Sequence, residues 1–209
     1  SREHLVSSSK TLHQVFPSLN VLPVCADYSQ AVHLALSPRT GSHITAFFPG
    51  STIGNFQPEH AIGFLAQVHD LVGAGGGLLI GVDLVKDILT LEAAYNDTSG
   101  VTAAFNLNLL QHINNRLDAT FDLSAFSHRA VFNTTHSRIE MYLDSQTDQT
   151  VQIGGTTFAF KAGESILTEY SHKYTLSSFK DMAAEAGFRV DQVWTDPESL
   201  FSVQYLTAS

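Results

Sequence analysis

Apolar residues fall along this chain in two rhythms. Short unbroken runs at Val21 to Ala26, Ile44 to Phe48 and Leu78 to Val82 carry β-branched residues and predict buried strands. Elsewhere apolar positions recur at helical spacing. Ala61, Ile62, Leu65, Val68 and Val72 share one face of a helix that Pro58 opens, where a missing N–H costs nothing, and that Gly73-Ala74-Gly75-Gly76-Gly77 closes. Helices are also predicted over 2–16, with Ser1 as N-cap and Glu3 in the first turn, over 29–36 and over 86–95. Pro17 to Asn20 and Ser37 to Gly41 read as breaks. Strand and helix thus alternate, the pattern of a parallel sheet covered by helices.

Between Tyr95 and Tyr174 the rhythm changes. A helix over 101–117 leads to short alternating runs at 138–143, 150–153, 156–161 and 165–171, and Gly154-Gly155 between two of them is a hairpin signal. The first rhythm then returns with a helix over 175–186, stopped by Gly187, and strands over 188–194 and 200–207. The expected organisation is an α/β domain from 1–94 and 175–209, interrupted by an α+β subdomain over 95–174. A chain that opens on Ser1-Arg2-Glu3 begins at the mouth of a helix, as if inside a fold.

Composition narrows the function classes. The 209 residues are 44% hydrophobic and 15% charged, enough for one globular core. Eleven Lys and Arg against twenty Asp and Glu give a net charge of −9, which argues against a duplex nucleic-acid binder. No apolar run approaches the roughly 20 residues that span a bilayer. One cysteine, Cys25, permits no internal disulfide and reads as core; a reducing, cytoplasmic setting fits best. Ten histidines show no metal-ligand spacing, so no metal is expected. The glycine run at 73–77 lacks the Gly-Lys-Ser/Thr ending of a phosphate loop, and no Gly-x-Ser-x-Gly elbow is present.

Candidate chemistry gathers at strand ends. Phe47-Phe48-Pro49-Gly50-Ser51-Thr52-Ile53-Gly54-Asn55 follows a predicted central strand, where open α/β sheets bind ligands. Two glycines permit close backbone approach and Asn55 offers donor and acceptor; a loop with no ligand is the alternative. Asp27 and Asp83 also end strands and could meet a ribose hydroxyl or an adenine amine, or serve as helix caps or solvated acids. Tyr28 could stack on a base or simply pack. In Thr168-Glu169-Tyr170-Ser171-His172-Lys173, alternation puts Glu169 and Ser171 on one face and Tyr170 and His172 on the other. A carboxylate beside a hydroxyl could clamp an imidazole or an amine; exposed strand-end polarity is the other reading.

From Phe47 to Asn55 the sequence resembles the histidine-specific Nα-methyltransferases of ergothioneine biosynthesis. The resemblance continues in order through Asp83-Leu84-Val85-Lys86-Asp87, Gly100-Val101-Thr102-Ala103-Ala104-Phe105-Asn106, Arg138-Ile139-Glu140-Met141, Leu167-Thr168-Glu169 and Trp194-Thr195-Asp196-Pro197. It implies a Rossmann-like methyltransferase sheet with an inserted α+β substrate-binding subdomain. The implied reaction uses S-adenosylmethionine to trimethylate L-histidine to hercynine.

Residue roles follow from the same resemblance. Asp27 and Tyr28 would contact the adenine side of the methyl donor, and Gly50 would lie beside the donor and the amine. Asn55 and Tyr95 would hold the amino and carboxylate groups of histidine, making Gly50, Asn55 and Tyr95 the catalytic set. Thr102 and Phe105 would line the pocket, Glu169 and Ser171 would bind the imidazole nitrogens, and Met141 would pack on the ring. Keeping Glu169 and Met141 together points to histidine rather than an indole amino acid. A binding module without catalysis, or a methyltransferase for another amine, are the rival readings. The family's glycine-rich loop, its ribose-binding acid and its N-terminal substrate segment have no counterpart here. The chain is therefore expected to hold most of the histidine pocket and half of the cofactor site. It should be poorly soluble alone, or be completed by an upstream fragment or second chain.

Overall fold

The structure, a computed structural model, describes residues 2–28, 30 and 43–209, divided between a unit Ser1–Gly41 and a unit Ser42–Ser209. In the first, helix α1 (Arg2–Val15) carries Glu3 in its first turn, where a carboxylate complements the helix dipole, and buries no residue. Val21 to Ala26, expected as a buried strand, does not form one; Leu22 is 74% exposed and Cys25 is exposed. A strand exists through a neighbour that takes its N–H and C=O groups, and none of the described residues pairs with this run. The expected core placement of Cys25 fails for the same reason. The Ser1 cap, and the helix and loop expected over 29–41, lie outside the described residues except at Gln30.

The described elements of the second unit run β1 (Thr45–Phe48), α2 (Pro58–Val72), β2 (Gly77–Asp83), α3 (Ile88–Tyr95), α4 (Val101–Leu117), β3 (Phe126–Asn133), β4 (Arg138–Ser145), β5 (Gln149–Ile153), β6 (Thr156–Phe160), β7 (Ser165–His172), α5 (Leu176–Glu185), β8 (Phe188–Thr195) and β9 (Phe201–Ala208). Four strands form one sheet in the order β1-β2-β9-β8. β1 and β2 are parallel, joined through α2, while β9 runs antiparallel to both β2 and β8. β2 is buried on both faces, which is why its sequence is a continuous apolar run. Leu65 of α2, Ile80 of β2, Phe179 of α5 and Leu206 of β9 are fully buried in the shared core. Each such side chain contributes about 1.5–3 kcal/mol by leaving water. Thr175 and Ser178 cap α5 reciprocally.

The second sheet, β3-β4-β7, is antiparallel throughout, and β5-β6 form a separate hairpin. Gly154 and Gly155 turn that hairpin with φ of 54° and 84°, the left-handed pair that a two-residue turn demands. Leu110 of α4 packs with Phe126, Leu143 and Val151 into a core for this region. β3 is absent from the sequence reading because His128 interrupts its apolar face at Phe126, Ala130 and Phe132. The ring is accommodated by the Tyr95 carbonyl at 2.8 Å from Nε2 and the Asn106 amide nitrogen at 3.0 Å from Nδ1. Among the described residues no helix is long and apolar enough to cross a membrane.

Candidate active site

The loop after β1 turns sharply because Gly50 and Ser51 both take left-handed backbone, with φ of 77° and 55°. Ser51 Oγ accepts a hydrogen bond from the Asp83 N–H at 2.9 Å, tying this loop to the end of β2. Thr52–Asn55 then forms a 3-10 turn anchored by the buried Ile53. Gly54 is required by a close approach: a Cβ there would lie 2.7 Å from the His172 carbonyl oxygen. His172 Nδ1 donates to the Gly54 carbonyl at 3.0 Å, and burial holds its imidazole below the ordinary range. Asn55, at the end of the turn, is exposed, and its side chain bonds to none of the described residues.

Tyr95 closes α3, and the end of that helix is pinned to the free edge of β3. Asn96 donates to the Ala130 carbonyl and accepts from the Ala130 N–H, both at 2.9 Å, and Glu92 accepts from the Phe132 N–H at 2.9 Å. The Tyr95 carbonyl takes the His128 bond already described. Its ring packs against Leu91, Ala130, Ile139 and Met141, the last only 3% exposed.

The Tyr95 hydroxyl enters a polar cluster at the end of β7. It donates to Ser171 Oγ at 2.8 Å and accepts from Lys173 Nζ at 2.7 Å. Lys173 Nζ also donates to Ser171 Oγ at 2.8 Å and pairs with Asp83 Oδ2 at 2.7 Å. Lys86 pairs with the other oxygen of Asp83. The Lys173 side chain is 0% exposed, and Asp83 supplies the counter-charge that its burial requires.

Glu169 lies two positions before Ser171 and directly opposite Met141 in the β4-β7 ladder. It is half-buried; desolvation pushes its carboxyl above the ordinary value, and the Lys173 ammonium draws it partly back. With Thr168 it lines a cleft of about 290 Å³ whose other wall is Phe105, Asn106, Leu109 and His112 of α4. Phe105 is 63% exposed at this cleft. Thr102, one turn earlier, donates its N–H to Asp97 at 2.8 Å, and such bonds hold the Asp97 carboxyl at about 2. The opposite face of β7 carries Tyr170, with the Arg138 guanidinium 3.7 Å from its ring centroid, and His172.

Tyr95, Met141, Glu169 and Ser171 are thus contiguous, and Phe105 shares the Glu169 cleft. Gly50 and Asn55 sit on a loop held to β7 through Gly54 and His172. Asp27 and Tyr28 belong to the Ser1–Gly41 unit, where the Asp27 carbonyl accepts from the Gln30 N–H and Tyr28 is 53% exposed. Lys173 escaped the sequence reading. The signal was available, because alternation continues from Glu169 and Ser171 to Lys173. Asp83, read there as ligand or solvated acid, is the partner of two lysines. Among the described residues no group of His, Cys, Asp or Glu could hold a metal ion.

Glu169 offers a carboxylate to the cleft beside α4, and the Tyr95–Ser171 hydroxyl network lies next along β7, while Asn55 is carried by the loop after β1. Comparison with known proteins adds to the geometry. A family described as histidine-specific, SAM-dependent methyltransferase matches residues 1–208. A histidine N-alpha-methyltransferase from Mycolicibacterium smegmatis is 40% identical over 95% of this chain and 62% of its own length. A protein of the same name from Mycobacterium tuberculosis is 38% identical over the same shares. The chain therefore spans about 62% of the length of these curated relatives. Among solved structures, an S-adenosylmethionine-dependent methyltransferase from Clostridium acetobutylicum is 10% identical with a TM-score of 0.53. That match covers 100% of this chain and 72% of that one, a likeness of fold alone.

Proposed function

Since this chain belongs to the family of histidine-specific, S-adenosylmethionine-dependent methyltransferases, we propose that it carries the substrate pocket of an enzyme converting L-histidine to hercynine, the first step of ergothioneine biosynthesis. The observation that carries this reading is the contiguity of Glu169, Ser171, Tyr95 and Met141 beside the α4 cleft. In this reading 95–174 is the substrate-binding subdomain. Glu169 and Ser171 take the two imidazole nitrogens, Met141 packs on the ring, and Thr102 and Phe105 form the outer wall. Asn55 and Tyr95 hold the amino and carboxylate groups.

S-adenosylmethionine, when bound, supplies the methyl group. The Gly50 loop fits that partner: it lies at the carboxyl end of a parallel strand, and Gly50 has no side chain to block approach. Asp27 and Tyr28 are proposed as its adenine-side contacts. This chain's own residues bind, orient and desolvate the amine, which is most of what an in-line displacement requires. A cytoplasmic setting belongs to the same reading and accords with a single cysteine.

A mass-spectrometric methyl-transfer assay with S-adenosylmethionine and a panel of amino acids tests the proposal. The expected product is methylated histidine, with tryptophan and other amines turned over far less. Equal turnover of an indole amino acid would overturn the substrate assignment. Histidine binding without product in the full-length protein would favour a binding module instead.

A further inference from the structure

We propose that Lys173 is a positioning residue that fixes the direction of the Ser171 hydroxyl, so that it can only donate to the substrate ring; this rests on the histidine-pocket reading above. An ammonium has three donors and no acceptor. Lys173 directs its bonds to Asp83 Oδ2, the Tyr95 hydroxyl and Ser171 Oγ, at 2.7, 2.7 and 2.8 Å. The Tyr95 hydroxyl, itself accepting from Lys173, donates its hydrogen to Ser171 Oγ at 2.8 Å. A serine oxygen accepts two hydrogen bonds, and both positions are now filled. A serine hydroxyl ordinarily rotates to suit its partner. Here the O–H must point away from Lys173 and Tyr95.

Glu169, on the same face of β7, accepts only when ionised. One fixed donor beside one fixed acceptor matches a neutral imidazole, which has one bare nitrogen and one N–H. A pyrrole ring keeps the N–H and lacks the bare nitrogen, so it strands the Ser171 hydrogen. Without Lys173 the hydroxyl regains its rotation, and this discrimination should weaken.

The test measures kcat/KM of the full-length protein for L-histidine and for the two pyrrolylalanine regioisomers. The wild type should prefer histidine over the better pyrrolylalanine by about tenfold or more. Lys173→Met should narrow that ratio by about tenfold, Ser171→Ala should narrow it similarly, and the double variant should add nothing further. Asp83 keeps Lys86 in Lys173→Met, so the Asp83 carboxylate is not left without a cation. Should that variant not fold, Tyr95→Phe removes one donor to Ser171 without touching a charge and should also narrow the ratio. An equal loss on both substrates, additive variants or a wild type that does not discriminate would overturn the role of Lys173 while leaving the histidine pocket standing. Failure of the wild type to take histidine at all would overturn the pocket reading, and this inference with it.

Discussion

Glu169 sits where water is partly excluded, and its carboxyl is therefore held above the ordinary carboxylate range, with Lys173 opposing that rise. A carboxylate with a raised folded-state value costs stability once it ionises, so the folded protein gains from neutralising it at pH 7. Glu169→Gln is expected to raise the melting temperature at neutral pH while weakening histidine binding. Calorimetry and a titration on one sample check both signs. Glu169→Ala should lower affinity for histidine by about 10–100-fold, the scale of a hydrogen bond to a charged group, and leave methyl-donor affinity within about twofold. Parallel losses of both would remove Glu169 from the pocket. The Glu169/Ser171 pair was legible at this scale because strand alternation fixes which side chains share a face. The Lys173 network was not, since Asp83, Tyr95 and Lys173 are far apart in sequence and no period relates them.

Two devices hold the functional side chains at the scale of elements. The loop carrying Asn55 is fixed by Gly54, whose missing Cβ admits the β7 backbone, and by the His172 bond. Gly54→Ala forces a contact of 2.7 Å against backbone that cannot step aside. A cost of about 1–3 kcal/mol is expected, with a further loss of substrate affinity as Asn55 is displaced. Chemical denaturation and a binding isotherm read these separately. The second device is the docking of α3 on β3. Asn96→Ala deletes two bonds to one residue of the strand edge and should cost about 1–3 kcal/mol, lowering kcat/KM through Tyr95. A variant with native stability and native kinetics would show that α3 does not position Tyr95. The helices and most strands were readable because their apolar periods are clean. β3 was hidden by His128, whose polarity suits a buried face only once Asn106 and the Tyr95 carbonyl are in place.

At the scale of the molecule, the ends of β2 and β7 form the junction between the two sheets. Asp83 receives Lys173, the Tyr174 N–H bonds to the Asp83 carbonyl, and the Val85 N–H bonds to the Tyr174 carbonyl. His172 belongs to the same junction, and burial holds its folded-state pKa below the ordinary 6.5. Its contribution is fully present above that value and is lost as pH falls through the lower folded-state value. Melting temperature should therefore decline as the solution is acidified below about 6.5, the ordinary histidine value. His172→Asn, which keeps a donor near Nδ1 and cannot titrate, should flatten that decline. The sequence by itself determined the α/β alternation, the antiparallel region within it and the family, because apolar period and short motifs are local and survive without tertiary contacts. Tertiary structure alone decided that Val21 to Ala26 finds no strand partner among the described residues and that β9 lies between β2 and β8. It also decided that a fully buried lysine joins Asp83 to Tyr95 and Ser171. Strand neighbours and buried charge pairs are chosen by long-range packing, which sequence spacing does not encode.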